Sequence, residues 1–137
     1  MNENGVIAAV CVYLKARGWH ITQQLHTSEH GVDVVATHAA SGRKCYVEAK
    51  GSTSAREGTR RYGKPFDGNQ ITVHVARAVL TALKLRTEYP DRTAADVLIA
   101  VPDERRHRSH LKAIAPVLGA VGVGTLFVAD DGTVASE

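Results

Sequence analysis

Residues 95–101, ADVLIAV, set the strongest limit on what this chain can fold into. The run is of strand length and shows none of the polar alternation of a strand with one wet face. A strand buried on both sides belongs to a sheet with layers packed above and below it, and in an α/β chain those layers are helices. The flanking segments can supply them. Residues 70–89 carry Val73, Ala76, Val79, Leu80, Leu83 and Leu85 as a broad helical face that stops at Pro90. Asp103 can cap a further helix through about Leu118, ahead of Gly119, Gly122 and Gly124. Near the start of the chain, Asn2 can cap a helix in which Val6, Ile7, Val10, Tyr13 and Leu14 recur at helical spacing. Glu3 sits in its first turn, where the helix dipole favours an acid.

The remaining apolar segments read as strands. Residues 19–25 alternate, and residues 32–37 and 44–50 flank a Ser41-Gly42 turn. Residues 123–128 form a last strand before an Asp131-Gly132 turn. The order is helix, three strands, helix, strand, helix, strand. A meander followed by alternating elements predicts one α/β domain over residues 1–137, a mixed sheet flanked by helices on both faces. Cys11 and Cys45 lie in apolar runs and read as core thiols of a reducing compartment. The longest apolar run, residues 6–14, is too short to span a bilayer, and no basic segment precedes it as in a signal peptide. A cytoplasmic protein with no membrane partner is expected. The net charge of +3 permits an anionic partner without demanding one.

Residues 51–69 lack apolar periodicity and hold Gly51, Gly58, Gly63, Gly68 and Pro65. They read as a flexible basic loop carrying Arg56, Arg60, Arg61 and Lys64. Loops this long in compact domains are usually functional or disordered. As a solvated loop it needs no partner; beside a catalytic site, its cations would grip a nucleic-acid backbone.

Charge is set into the two strands that precede this loop. Asp33 opens one, Glu48 lies within the next, and Lys50 follows it. Alternation puts Glu48 and Lys50 on one side of their strand. In an antiparallel hairpin, Asp33 at the start of the first strand meets Glu48 and Lys50 at the end of the second. Two carboxylates with a backbone carbonyl suit a hard cation such as Mg²⁺. The same residues also make sense as a structural ion-pair cluster.

The pattern of Asp33, a connection, then Glu48-Ala49-Lys50 resembles the motif of the PD-(D/E)xK nuclease superfamily, the restriction-endonuclease-like fold. That family's core runs helix, three-strand meander, helix, strand, and the C-terminal helix and strand would be additions to it. Val32 stands where the family's proline would be. The resemblance implies that Asp33, Glu48 and the carbonyl of Ala49 hold Mg²⁺ or Mn²⁺, and that Lys50 serves the nucleophile or transition state. Glu3 looks like the first-helix glutamate that supports the metal in Holliday junction resolvase-like members, although a first-turn acid has its own reason to be there. Gln70 looks like the glutamine that several branches place at the start of the second helix, a position that also accepts glutamine for no functional reason. The implied activity is a metal-dependent endonuclease acting on DNA, with RNA open. The competing reading is a non-catalytic nucleic-acid-binding or assembly module on the same fold. Cutting two strands would call for two sites and hence a homodimer.

Other candidates are weaker. Arg105, Arg106, Arg108 and Lys112 read as a solvated helix face. His26, His30, His107 and His110 read as surface histidines without companion ligands. His74, one turn after Gln70, is near enough to approach the site, but the sequence gives it no role.

Overall fold

The computed structural model describes residues 1–26, 29–53 and 63–137. Among these residues, six strands form one sheet in sequence order, β1-β2-β3-β4-β5-β6. They are β1 (Trp19–Gln24), β2 (Val34–His38), β3 (Lys44–Ala49), β4 (Ala95–Pro102), β5 (Val123–Val128) and β6 (Val134–Ser136). The first three pair antiparallel, β3, β4 and β5 pair parallel, and β6 returns antiparallel to β5. Parallel neighbours need a long crossover. The helices α2 (Gly68–Glu88) and α3 (Arg105–Ala120) provide the two crossovers, and α1 (Glu3–Lys15) precedes the meander.

The expected α/β class and mixed sheet flanked by helices are present. Val97, Ile99 and Val101 of β4 pack into one apolar cluster with Ile71, Val75, Ala78 and Ala82 of α2 and Leu111 and Leu118 of α3. Ala100 of the same strand joins the other cluster, with Val6, Ile7, Val10 and Leu14 of α1 and Val34, Val47 and Ala49 of the meander. Each Val, Ile or Leu side chain removed from water contributes roughly 1.5–3 kcal/mol before entropy is counted, and each alanine less. The two-sided strand is thus buried for the reason its sequence gives.

Several boundaries differ from expectation. Asp33 lies just before β2 rather than inside it. Gly31, at φ +124°, turns the chain there, and Gln23 Nε2 donates to the Val32 carbonyl at 2.7 Å, taking that group out of ladder pairing. α2 starts two residues earlier than read, because Asp67 caps it: Gln70 N donates to Asp67 Oδ1 at 2.8 Å and Asp67 N to Gln70 Oε1 at 2.9 Å, a capping box. Asp103 does not cap α3; its carboxylate is paired with Arg108, and Glu104 occupies the cap position. α3 continues through Gly119 and ends before Gly122, at φ +76°. β6 was not expected.

The stretch read as one loop over residues 51–69 is partly structured. Thr53 bridges both Asn2 and Pro65, and Phe66 N donates to the Ser52 carbonyl at 2.8 Å. Residues 54–62, with Arg56, Arg60 and Arg61, lie outside the described residues. No helix among the described residues is long and apolar enough to cross a membrane.

Candidate functional site

The start of β2 and the end of β3 are neighbours because the strands are antiparallel, with Val34 opposite Val47. This register brings Asp33 to Glu48. The Asp33 carboxylate accepts the Ala49 N–H at 2.8 Å, which fixes it across the strand end. Lys50 extends β3 toward β4 by donating its N–H to the Ala100 carbonyl at 2.9 Å. Its ammonium lies 3.0 Å from Glu48 Oε1 and 3.7 Å from Glu3 Oε1. The four residues Glu3, Asp33, Glu48 and Lys50 therefore meet at the carboxyl end of β3, where open α/β sheets present their sites.

Glu3 comes from another element, and Gly51 is what admits it. A Cβ on Gly51 would fall within 2.6 Å of the Asn2 carbonyl carbon and 3.0 Å of its Cα, and against the Glu3 nitrogen. Only a residue with no side chain lets the start of α1 lie this close to the end of β3. Ser52 N then donates to the Met1 carbonyl at 2.8 Å, and Gly5 N to the capping Asn2 side chain at 2.9 Å.

The electrostatics are those of crowded like charges in a dry place. Glu48 is only 7% exposed. Burial, and then the adjacent Asp33 charge, push its pKa to about 7. Burial also raises Asp33, against the Ala49 N–H bond and the Lys50 ammonium that pull it down. For Lys50 burial works to lower the pKa, but Glu48, Glu3 and Asp33 together outweigh it and hold the ammonium firmly charged. Two carboxylates that repel each other, with oxygen donors only, fit a hard divalent cation, whose charge would relieve the repulsion. Among the described residues no group of three or more His, Cys, Asp and Glu side chains converges as a cage. A cation here would thus depend on the Ala49 carbonyl and water for further donors.

Gln70 is at the start of α2 as read, where its Oε1 closes the capping box. Lys64 is exposed beside the Thr53–Pro65 bridge. Two residues that sequence reasoning left without a role also come to this region. His74 stacks on Phe66, with centroids 4.5 Å apart and planes 16° from parallel. Burial lowers its pKa, with further lowering from the nearby charges of Lys50 and Arg77. The i+4 spacing from Gln70 was the available signal for His74, and Phe66 had none.

The other histidines and the cysteines resolve as follows. His107 is fully buried, contrary to the surface reading, and neither ring nitrogen has a hydrogen-bond partner. His110 Nε2 meets Thr72 Oγ1 at 3.2 Å, tying α3 to α2. Cys11 and Cys45 are free buried thiols, with Cys45 pushed up to about 12 by burial first.

No protein-family model matches the chain, and no curated protein matches it. Among solved structures it is similar to a FdxN element excision controlling factor protein from Anabaena variabilis. The two are 18% identical, the match covers 96% of each chain, and the TM-score is 0.51. That likeness is one of fold.

Proposed function

We propose that this chain is a metal-dependent nuclease of the PD-(D/E)xK kind, hydrolysing phosphodiester bonds in DNA, with RNA as the other nucleic-acid candidate. The observation that carries this reading is the pairing of half-buried Asp33 with buried Glu48, two mutually repelling carboxylates, with Lys50 between Glu48 and Glu3. A fold seeking stability alone gains little from such a cluster, because the desolvation cost of buried charges offsets their attraction.

Asp33, Glu48 and the Ala49 carbonyl would hold Mg²⁺ or Mn²⁺, with Glu3 in support. Bound there, the cation supplies Lewis acidity toward a phosphoryl oxygen and an attacking water. The chain's own groups do the rest. Lys50 stays charged and offers its ammonium to negative charge developing on the phosphoryl group. The Ala49 N–H keeps Asp33 oriented in advance, so no reorganisation is needed when substrate arrives. Gln70 at the start of α2 would complete the site as the family resemblance implies, and Arg56, Arg60, Arg61 and Lys64 would grip the backbone without reading sequence. Cutting both strands of a duplex or junction would call for a homodimer.

A second reading treats the Glu48–Lys50 ion pair as structural. The chain is then an accessory module on the same fold, one that binds nucleic acid or assembles with other proteins without cutting.

The test is a panel of labelled DNAs (duplex, nicked, flapped, four-way junction, single-stranded) incubated with the native protein in Mg²⁺, Mn²⁺ or EDTA. Cleavage in metal and none in EDTA is expected, and the panel names the preferred shape. Salt-dependent binding with no cleavage in any metal selects the accessory module instead.

A further inference from the structure

The basic side chains of this molecule divide into those the fold uses and those it does not. Arg43 donates to Asp96 and to the carbonyls of Thr93 and Arg92. Arg86 donates to the carbonyls of Tyr89, Ala95 and Gly122, and Arg92 to those of Gly119 and Ala120 at the end of α3. Arg108 pairs with Asp103 and Glu137 and lies over the Phe127 ring. The α3 cluster read from sequence as one solvated face is therefore mixed, with Arg108 committed to structure. Arg106 is different: among the described residues it is exposed, with no hydrogen bond or ion pair.

Its position joins it to the candidate site. The Arg106 guanidinium lies over Gly68, the first residue of α2, with a nitrogen 3.4 Å from where a side-chain carbon on Gly68 would be. From there α2 runs to Gln70 and to His74, which feels the charge of Lys50. At a rise of 1.5 Å per residue, Gly68 and His74 are ~9 Å apart along the axis. That is about three base-pair steps of a duplex, whose axis rises ~3.4 Å per step. The His110–Thr72 contact ties α3, which carries Arg106, to α2, which carries Gln70 and His74. The neighbouring carboxylates face other groups: Asp67 the Gln70 N–H, Asp103 the Arg108 guanidinium, and Glu104 the His107 ring.

Resting on the nuclease reading, we propose that Arg106 is a phosphate-gripping residue, and that the substrate backbone passes from the Lys50 site over the first turns of α2 to α3. A guanidinium suits this role because its planar donors match phosphate oxygens in pairs.

The test is fluorescence anisotropy of labelled duplex and four-way-junction DNA, in EDTA to prevent cutting, across a series of KCl concentrations. Native protein is compared with Arg106→Gln and Arg106→Glu, and with Lys112→Gln as a control further along α3. Thermal unfolding confirms that the variants fold. The expected result is roughly tenfold weaker binding for Arg106→Gln, with the log–log salt slope shallower by about 0.9. Arg106→Glu should bind more weakly still, and Lys112→Gln as the native protein does. Native-like binding and an unchanged slope for Arg106→Gln would overturn this inference and leave the nuclease reading standing. Failure of the native protein both to bind and to cut any nucleic acid would overturn both.

Discussion

At Glu48, burial and the Asp33 charge leave the carboxyl half-protonated near neutral pH, with a pKa of about 7 in place of 4.5. A raised carboxylate pKa means that the native state holds a proton the unfolded chain has lost between those two values. Stability attributable to the pair should therefore fall as pH rises from about 4.5 to about 7, and level off above. At ~1.4 kcal/mol per pKa unit, the fall is about 3 kcal/mol, and it belongs to two carboxylates that titrate together. Denaturant unfolding of native and Glu48→Gln protein at pH 5 and pH 8 measures it: the variant should lack this fall and be the more stable at pH 8 without metal. Mg²⁺ should raise native stability at pH 8 more than at pH 5, because it binds the ionised pair. A Glu48→Gln protein that keeps the native pH dependence would contradict this electrostatic account. The meeting of Asp33, Glu48 and Lys50 was legible in the sequence because strand alternation and hairpin register decide where such residues meet; Glu3 came in through the family resemblance, and its approach depends on the long-range joint at Gly51. His74 and Phe66 were not, because their proximity depends on how α2 docks on the sheet end.

Among the elements, α1 and β3 share a joint at Gly51. Substituting Gly51→Ala places a methyl group against the backbone of Asn2 and Glu3 and pushes the start of α1 away. A stability loss of ~1–3 kcal/mol is expected from the forced shift. Any activity should fall as well, because Glu3 leaves Lys50; a fully stable and active Gly51→Ala protein would mean that this close approach is dispensable. α3 has its own weak point in His107, fully buried with no hydrogen bond at either ring nitrogen while the ring is neutral; Glu104 Oε2, 3.5 Å from Nδ1, becomes an ionic partner only on protonation. Burial is the first cause of its lowered pKa, so the unfolded chain binds the proton more readily and stability is lost as pH falls below about 6.5. Replacing an unpaired buried polar group with an apolar one of similar size is neutral or stabilising. His107→Leu should therefore raise stability by up to ~1 kcal/mol and flatten the acid limb of the melting-temperature profile. Sequence periodicity located α1, α2 and α3. It missed the burial of His107, because α3 places that residue on its apolar stripe with Leu111 and Leu118. It missed β6 because three residues, Val134–Ser136, carry no readable alternation.

Across the whole molecule, sheet order follows chain order, and the two-sided burial of β4 organises both apolar clusters. This much was readable from the continuous apolar run at 95–101 and the helices around it. The ends of the 51–69 segment were not. Their bridges to Asn2 and to each other are long-range pairings with no local sequence signature. One consequence is that the meander, α1 and the start of α2 all converge at the end of β3, beside the acidic pair. The central claim is that this convergence is a metal-dependent phosphodiesterase site. It is tested most directly by single-turnover cleavage of the preferred DNA in Mg²⁺ by native, Glu48→Gln and Lys50→Ala proteins. The account predicts cleavage by the native protein and a loss of at least ~100-fold in each variant, the scale typical of removing one transition-state-stabilising group. Equal cleavage by native and variant proteins would contradict it, as would cleavage by the native protein undiminished in EDTA.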